Sequence, residues 1–178
     1  MKYCIFYLIE GKAKRYHQKL VKEVGPKFGE RYMIENPLPA HITLKYFFET
    51  SRTKELEKLL REFVKKQKQS KMEIDGFSNF DRRVVFLKIK PSKQAIKTRK
   101  ELVNGIMEIN GIKLNELDIK FKPHLTIAYG NTKKSFSGIW NYVKKLDKPK
   151  FNLKLDNITL IKKSGKYWKV HKEFKIKL

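Results

Sequence analysis

The chain has 178 residues, with 42 Lys and Arg against 18 Asp and Glu, a formal net charge of +24. A content of 40% hydrophobic and 12% aromatic residues excludes a disordered tail, and the length suits one unit, residues 1–178, of two packed lobes around a sizeable core. The charge favours a polyanionic partner, whose neutralised phosphates release counterions, although the excess is nearly all Lys, with seven Arg in the chain, and a solvated basic surface accounts for it equally well.

In chain order, Tyr3–Ile9 is a continuous apolar, β-prone run and predicts a strand buried on both faces. It is too short to span a membrane or to serve as a typical signal peptide. The spacing of Tyr16, Leu20 and Val24 predicts a helix that ends at Gly25-Pro26. A second strand is expected over 40–48. An amphipathic helix is expected over 51–69, with Leu56, Leu59, Leu60 and Phe63 on its apolar face. Residues 71–80 and 83–90 read as a hairpin around Asp81-Arg82. A helix over 92–110 presents Ile96, Leu102, Val103, Ile106 and Met107. A strand over 124–130 and a helix over 134–146, despite Gly138, come next. Residues 150–164 and 166–178 read as two antiparallel strands around Gly165.

The order is β-α-β-α-β-β-α-β-α-β-β, and the second half loosely repeats the first. It predicts an α+β, bilobal architecture: two antiparallel sheets around a central cleft, with helices on the outer faces. Cys4, the one cysteine, lies in an apolar run and reads as a buried small hydrophobe. No disulfide or cysteine-based metal site follows, and a reducing, cytoplasmic setting fits. Monomer is the default oligomeric expectation.

The histidines carry the chemistry. "PAHITLKY" (39–46) and "KPHLTIAY" (122–129) each write Pro, then His-apolar-Thr-apolar, within a predicted strand. Residues i and i+2 of a strand share a face. His41 and Thr43 therefore point one way from an anchor of Ile42 and Leu44, and His124 and Thr126 point one way from Leu125 and Ile127. Regular alternation would continue the first face to Lys45, a candidate phosphate contact, and to Phe47, a candidate nucleobase platform. It would continue the second to Ala128 and Gly130, small enough to admit a ligand, and would turn Tyr129 away. Two imidazoles across a cleft suit paired acid–base work: one takes a proton from the attacking group, the other gives one to the leaving group. The Thr hydroxyls can hold non-bridging phosphate oxygens, and no metal or cofactor is required. His17, on a polar helix, and His171, on a charged strand, read as surface residues.

These motifs resemble the paired H-x-T-x motifs of the 2H phosphoesterase superfamily, and within it the RNA 2′,3′-cyclic phosphodiesterases once named 2′-5′ RNA ligases. The resemblance covers nearly the whole chain in length, element order and motif placement. It implies a bilobal fold with a pseudo-two-fold axis, and places His41, Thr43, His124 and Thr126 at the catalytic positions. The implied reaction is metal-independent hydrolysis of 2′,3′-cyclic phosphate RNA ends to 2′-phosphate, with reversible 2′-5′ ligation. His41 is implied as the acid and His124 as the base. The expected partner is RNA, or a nucleotide with a cyclic phosphate or 2′-5′ linkage. A departure from many relatives is Tyr129, found where an Arg follows the second motif. The alternatives are a phosphodiesterase on 2′-5′ linked or small cyclic nucleotides, or a binding module of the same fold with little turnover.

Overall fold

A computed structural model describes residues 1–129 and 132–178. It has eight strands and six helices among them: β1 Lys2–Leu8, α1 Gly11–Lys27, α2 Tyr32–Glu35, β2 His41–Glu49, α3 Thr53–Lys66, β3 Ser70–Phe80, β4 Val84–Pro91, α4 Lys93–Met107, α5 Glu116–Ile119, β5 His124–Tyr129, α6 Thr132–Val143, β6 Lys150–Leu155, β7 Asn157–Ser164 and β8 Tyr167–Lys175. The strands form two four-stranded antiparallel sheets, ordered β2-β1-β7-β8 and β5-β4-β3-β6.

The predicted elements recur with shifted ends, and some expectations are corrected. Residues 150–164 are not one strand. The run breaks at Asp156, so β6 completes the second sheet and β7 joins the first. The short helices α2 and α5 carry too few turns to show a period, and sequence pattern does not predict them. Helix α1 runs through Pro26 to Lys27 instead of stopping at Gly25-Pro26. The predicted hairpin tip holds: Asp81 and Arg82 both take positive φ, at 45° and 58°, matching the twist that a tight hairpin turn needs. Ile96, expected on an apolar helix face, is exposed.

Two helices tie the halves together. Helix α1 links β1 to β2 of the first sheet, yet packs against β5 of the second. Helix α4 follows β4 of the second sheet, capped by the Ser92 hydroxyl on the Ala95 N–H; it packs on β3 and β4 of that sheet and on α3, and reaches β2 of the first. One buried cluster therefore includes Ile5, Ile42 and Leu160 of the first sheet together with Ile74, Leu87 and Ile127 of the second. Each H-x-T strand, β2 or β5, is the edge of its own sheet, and their Cα atoms approach within 8 Å.

Gly138, an odd residue for a helix interior, has a packing reason. The Phe28 ring lies so close that a Cβ on Gly138 would stand 2.7 Å from its Cδ1. An aromatic ring cannot swing aside easily. Intrinsic propensity favours Ala over Gly in a helix by about 1 kcal/mol, so Gly138→Ala tests which effect wins. The expected outcome is a loss of about 1–3 kcal/mol from overpacking, read as a lower urea midpoint at unchanged slope.

Candidate active site

Both motif strands depart from regular alternation at the same place. On β1–β2, Phe6 pairs with Thr43 but Ile5 pairs with Lys45, so β2 carries one extra residue at Leu44-Lys45. On β4–β5, Phe86 pairs with Thr126 but Val85 pairs with Ala128, an extra residue at Ile127-Ala128. Each is a β-bulge directly after H-x-T. Residues opposite each other in an antiparallel pair share a face. His41 and Thr43 accordingly share the face of Leu8 and Phe6, while Leu44 and Lys45 turn inward with Ile5. His124 and Thr126 share the face of Lys88 and Phe86, while Ile127 and Ala128 turn inward with Val85.

The bulges correct three expectations. Lys45 is not on the His face. Its side chain is 0% exposed, and its ammonium donates to Asp118 Oδ2 at 2.6 Å and to the Lys113 carbonyl at 3.2 Å, so it is already committed to an internal ion pair. Ala128 faces the core instead of the cleft, and Gly130 lies outside the described residues. Tyr129 pairs with Val84 and so returns to the His124 face, exposed, with its ring edge-on to Tyr32. A second extra residue in β2, between the pairs Ile5–Lys45 and Tyr3–Phe48, reverses the side once more. It brings Phe47 back to the His41 face, where alternation places it.

Each imidazole is held alike. His41 Nδ1 lies 2.7 Å from the Pro39 carbonyl, and His124 Nδ1 lies 2.8 Å from the Lys122 carbonyl. A carbonyl only accepts, so Nδ1 carries the hydrogen in both rings. Nε2 is then the nitrogen left to exchange a proton with a ligand. Their surroundings differ. His41 stacks flat on Phe6, centroids 3.7 Å apart, whereas His124 meets Phe80 edge-on at 4.9 Å and Phe86 obliquely at 5.2 Å. Burial pushes His41 down to about 4, against the opposing pull of the Pro39 carbonyl, and charge on His17 or His124 would lower it further. Burial also lowers His124, opposed by the Lys122 carbonyl. Both rings are neutral at pH 7 in the empty site.

His17 is not a surface residue. It is 4% exposed, and its Nε2–H donates to the Thr126 carbonyl at 2.6 Å, while Nδ1 is buried without a partner. Burial lowers its pKa. Arg99 makes a comparable contact in the other half, one residue further along the motif: its Nε–H donates to the Leu44 carbonyl at 2.9 Å. His17 and Arg99 each follow the first residue of their helix, Gly11 and Lys93, by six positions. Each helix thus reaches the bulge of the opposite half. Asp118 completes the grip on β2. It accepts from Lys45, from the Tyr46 N–H at 2.8 Å and from the Asn115 N–H at 2.9 Å, with Arg99 Nη2 at 3.5 Å. The signal in sequence is the Asn-x-x-Asp spacing of a capping box at 115–118.

Among the described residues no group of three or more His, Cys, Asp or Glu could hold a metal ion, and no helix is long and apolar enough to cross a membrane. Burial raises the Cys4 thiol well above its ordinary range, which keeps it an unreactive apolar filler.

The chain matches the family model of the 2′-5′ RNA ligase superfamily over residues 17–166, which includes both motifs. The protein belongs to that superfamily, the 2H phosphoesterases. Its fold is that of Escherichia coli LigT, solved in complex with 3′-AMP, at a TM-score of 0.68, with 15% identity over 99% of this chain and 98% of that one. TT0787 of Thermus thermophilus gives 0.67 and 18% over 99% and 98%. Usb1 of Kluyveromyces marxianus gives 0.51 and 13% over 95% and 96%. No curated protein matches the chain by sequence.

The grip on the first bulge can be measured. Asp118→Ala leaves the Lys45 ammonium buried without its counter-ion, and such a loss costs about 3–5 kcal/mol. Lys45→Met should cost less, because Asp118 keeps Arg99 and two backbone N–H donors. Urea unfolding of both variants should rank them in that order.

Proposed function

We propose that the protein is a metal-independent phosphodiesterase that opens 2′,3′-cyclic phosphate ends of RNA to 2′-phosphate; 2′-5′ ligation is the same ring opening with an RNA 5′-hydroxyl in place of water. The observation that carries this reading is the pair of H-x-T strands, each at a sheet edge, each bulged after Thr, each with its His Nδ1 fixed on a backbone carbonyl. The superfamily supports it, as does the +24 charge. In the forward direction His124 Nε2 takes a proton from water as the water oxygen bonds to phosphorus. The P–O3′ bond breaks, and His41 Nε2 gives its proton to O3′. The hydroxyls of Thr43 and Thr126 donate to the non-bridging oxygens. Lys88, exposed and directly opposite His124 on β4, supplies positive charge toward the phosphate, the role that Lys45 cannot fill.

The depressed pKa values fix a pH dependence. Turnover needs one imidazole protonated and the other neutral. Both rings titrate below 6.5 in the free protein, so the singly protonated form is most abundant on the acid side of 6.5 and vanishes as pH rises. The profile of kcat/KM should be a bell centred below pH 6.5, its limbs belonging to the pair. The profile of kcat should lie higher, because the bound phosphate anion favours imidazolium. A maximum of kcat/KM above pH 7 would contradict paired acid–base work by these rings.

The direct test is chromatography of the products from 2′,3′-cyclic phosphate oligonucleotides in the presence of EDTA. The expected product carries a 2′-phosphate. His41→Ala and His124→Ala should each lower kcat by about 10²–10⁴-fold, and Lys88→Ala should raise KM. Salt-sensitive binding with no product under any condition would overturn the enzymatic reading in favour of a binding module.

A further inference from the structure

The concave face of the first sheet continues beyond the two motif side chains. Alternation along β1 is unbroken, so Lys2, Cys4, Phe6 and Leu8 all lie on the His41 face. Ile161 pairs with Cys4, and Trp168 pairs with Lys163, two positions further along the same face of β7. Cys4, Phe6 and Ile161 form a small buried cluster, separate from the main core, against which Trp168 packs. Its cover is the notable part. Phe47 on β2 and Trp168 on β8 are the two edges of this sheet, three strand spacings or about 14 Å apart were it flat. Their ring centroids nevertheless stand 5.1 Å apart and nearly parallel, at 22°. The curved sheet lets them meet above Cys4 and Ile161, like a lid of two stacked rings.

This lid keeps an outward side. Phe47 is 45% exposed although a side chain of that size could have been buried, and Val170, two positions past Trp168 on β8, is exposed too. Lys2 Nζ lies 5.5 Å from the Phe47 centroid, Lys163 stands exposed opposite Trp168, and Glu49 lies opposite Lys2. Exposed stacked aromatics rimmed by lysines are the means by which proteins hold single-stranded nucleic acid without reading its sequence. A membrane or an apolar protein partner would not need the rings to be stacked beside ammonium groups.

We propose that the Phe47–Trp168 stack is a binding subsite for a nucleobase of single-stranded RNA, set apart from the reacting phosphate. The inference rests on the reading of the site as a cyclic phosphodiesterase and narrows its substrate class to oligonucleotides. The geometry fixes the polarity. A 2′,3′-cyclic phosphate ends the chain at its 3′ side, so the rest of the RNA can extend only toward its 5′ side. The two bulges leave Phe47 opposite Cys4, four residues along the unbroken β1 from Leu8, which faces His41, or about 13 Å at the usual rise. That is too far for the base on the reacting ribose, and suits a base one or more nucleotides upstream.

The experiment compares uridine 2′,3′-cyclic phosphate with a pentauridylate ending in the same group. For the unsubstituted protein, the pentanucleotide should have the higher kcat/KM. Phe47→Ala and Trp168→Ala should lower kcat/KM for the pentanucleotide by roughly 5- to 100-fold, the range expected for one stacked base, and leave the mononucleotide within about twofold. Phe47→Leu and Trp168→Leu keep an apolar cover over Cys4 and Ile161 and should show the same substrate-dependent loss, whatever happens to the alanine variants' stability. Equal losses on both substrates, or no loss on either, would overturn the subsite. If neither substrate is turned over, binding of the pentanucleotide decides: Phe47-dependent affinity keeps the subsite while the phosphodiesterase reading falls, and unchanged affinity in Phe47→Leu and Trp168→Leu removes the subsite.

Discussion

The extra residue that follows each H-x-T is the constraint on which the site depends. In a regular strand His, Thr and the residue two further on would share one face, and a long side chain there would crowd the space that a ligand needs. The bulge ends the polar face after Thr and turns two consecutive side chains, Leu44 with Lys45 or Ile127 with Ala128, into the interior. A bulge also removes carbonyls from the ladder, and a buried carbonyl must find another donor. His17 and Arg99 are those donors, one for each bulge, and both come from the helix of the opposite half. The reach of these two helices across the halves is thereby tied to the placement of the motif hydroxyls.

The same logic governs the imidazoles. A carbonyl two residues upstream fixes each tautomer, and the Pro before each His makes that geometry natural, since Pro39 and Pro123 hold the entering chain extended. Low polarity around the rings keeps both neutral in the empty cleft. An anion entering between them then meets groups that gain basicity from its presence, so charge on the protein appears where and when the anion is bound.

Much of this is legible in the sequence, and the failures have a shared cause. Periodicity locates the main strands and helices, and two copies of His-apolar-Thr-apolar locate the paired half-sites. Alternation cannot see the bulges, because a bulge is a property of a strand pair and not of one strand. It therefore puts Lys45 and Tyr129 on the wrong faces, and puts Phe47 on the right one only because two bulges in β2 cancel. The burial of Lys45 depends on Asp118, seventy-three positions away on a one-turn helix that leaves no period to read. His17 sits among Lys and Gln in sequence, yet a helix packed on the other half's edge strand buries it.

Two half-sites built alike need not work alike, and the register shows where they part. Phe6 opposite Thr43 is matched by Phe86 opposite Thr126, and Ile5 opposite the first bulge by Val85 opposite the second. Opposite the histidines the match fails: Leu8 faces His41 and Lys88 faces His124. One ring is stacked flat on Phe6 opposite an apolar residue, and the other stands edge-on to Phe80 opposite a lysine. Burial lowers both rings, His41 to about 4, so either ring can hold a proton at neutral pH only when paired with a bound anion. One cross-strand pair therefore makes the half-sites unlike, apolar around His41 and flanked by a lysine at His124.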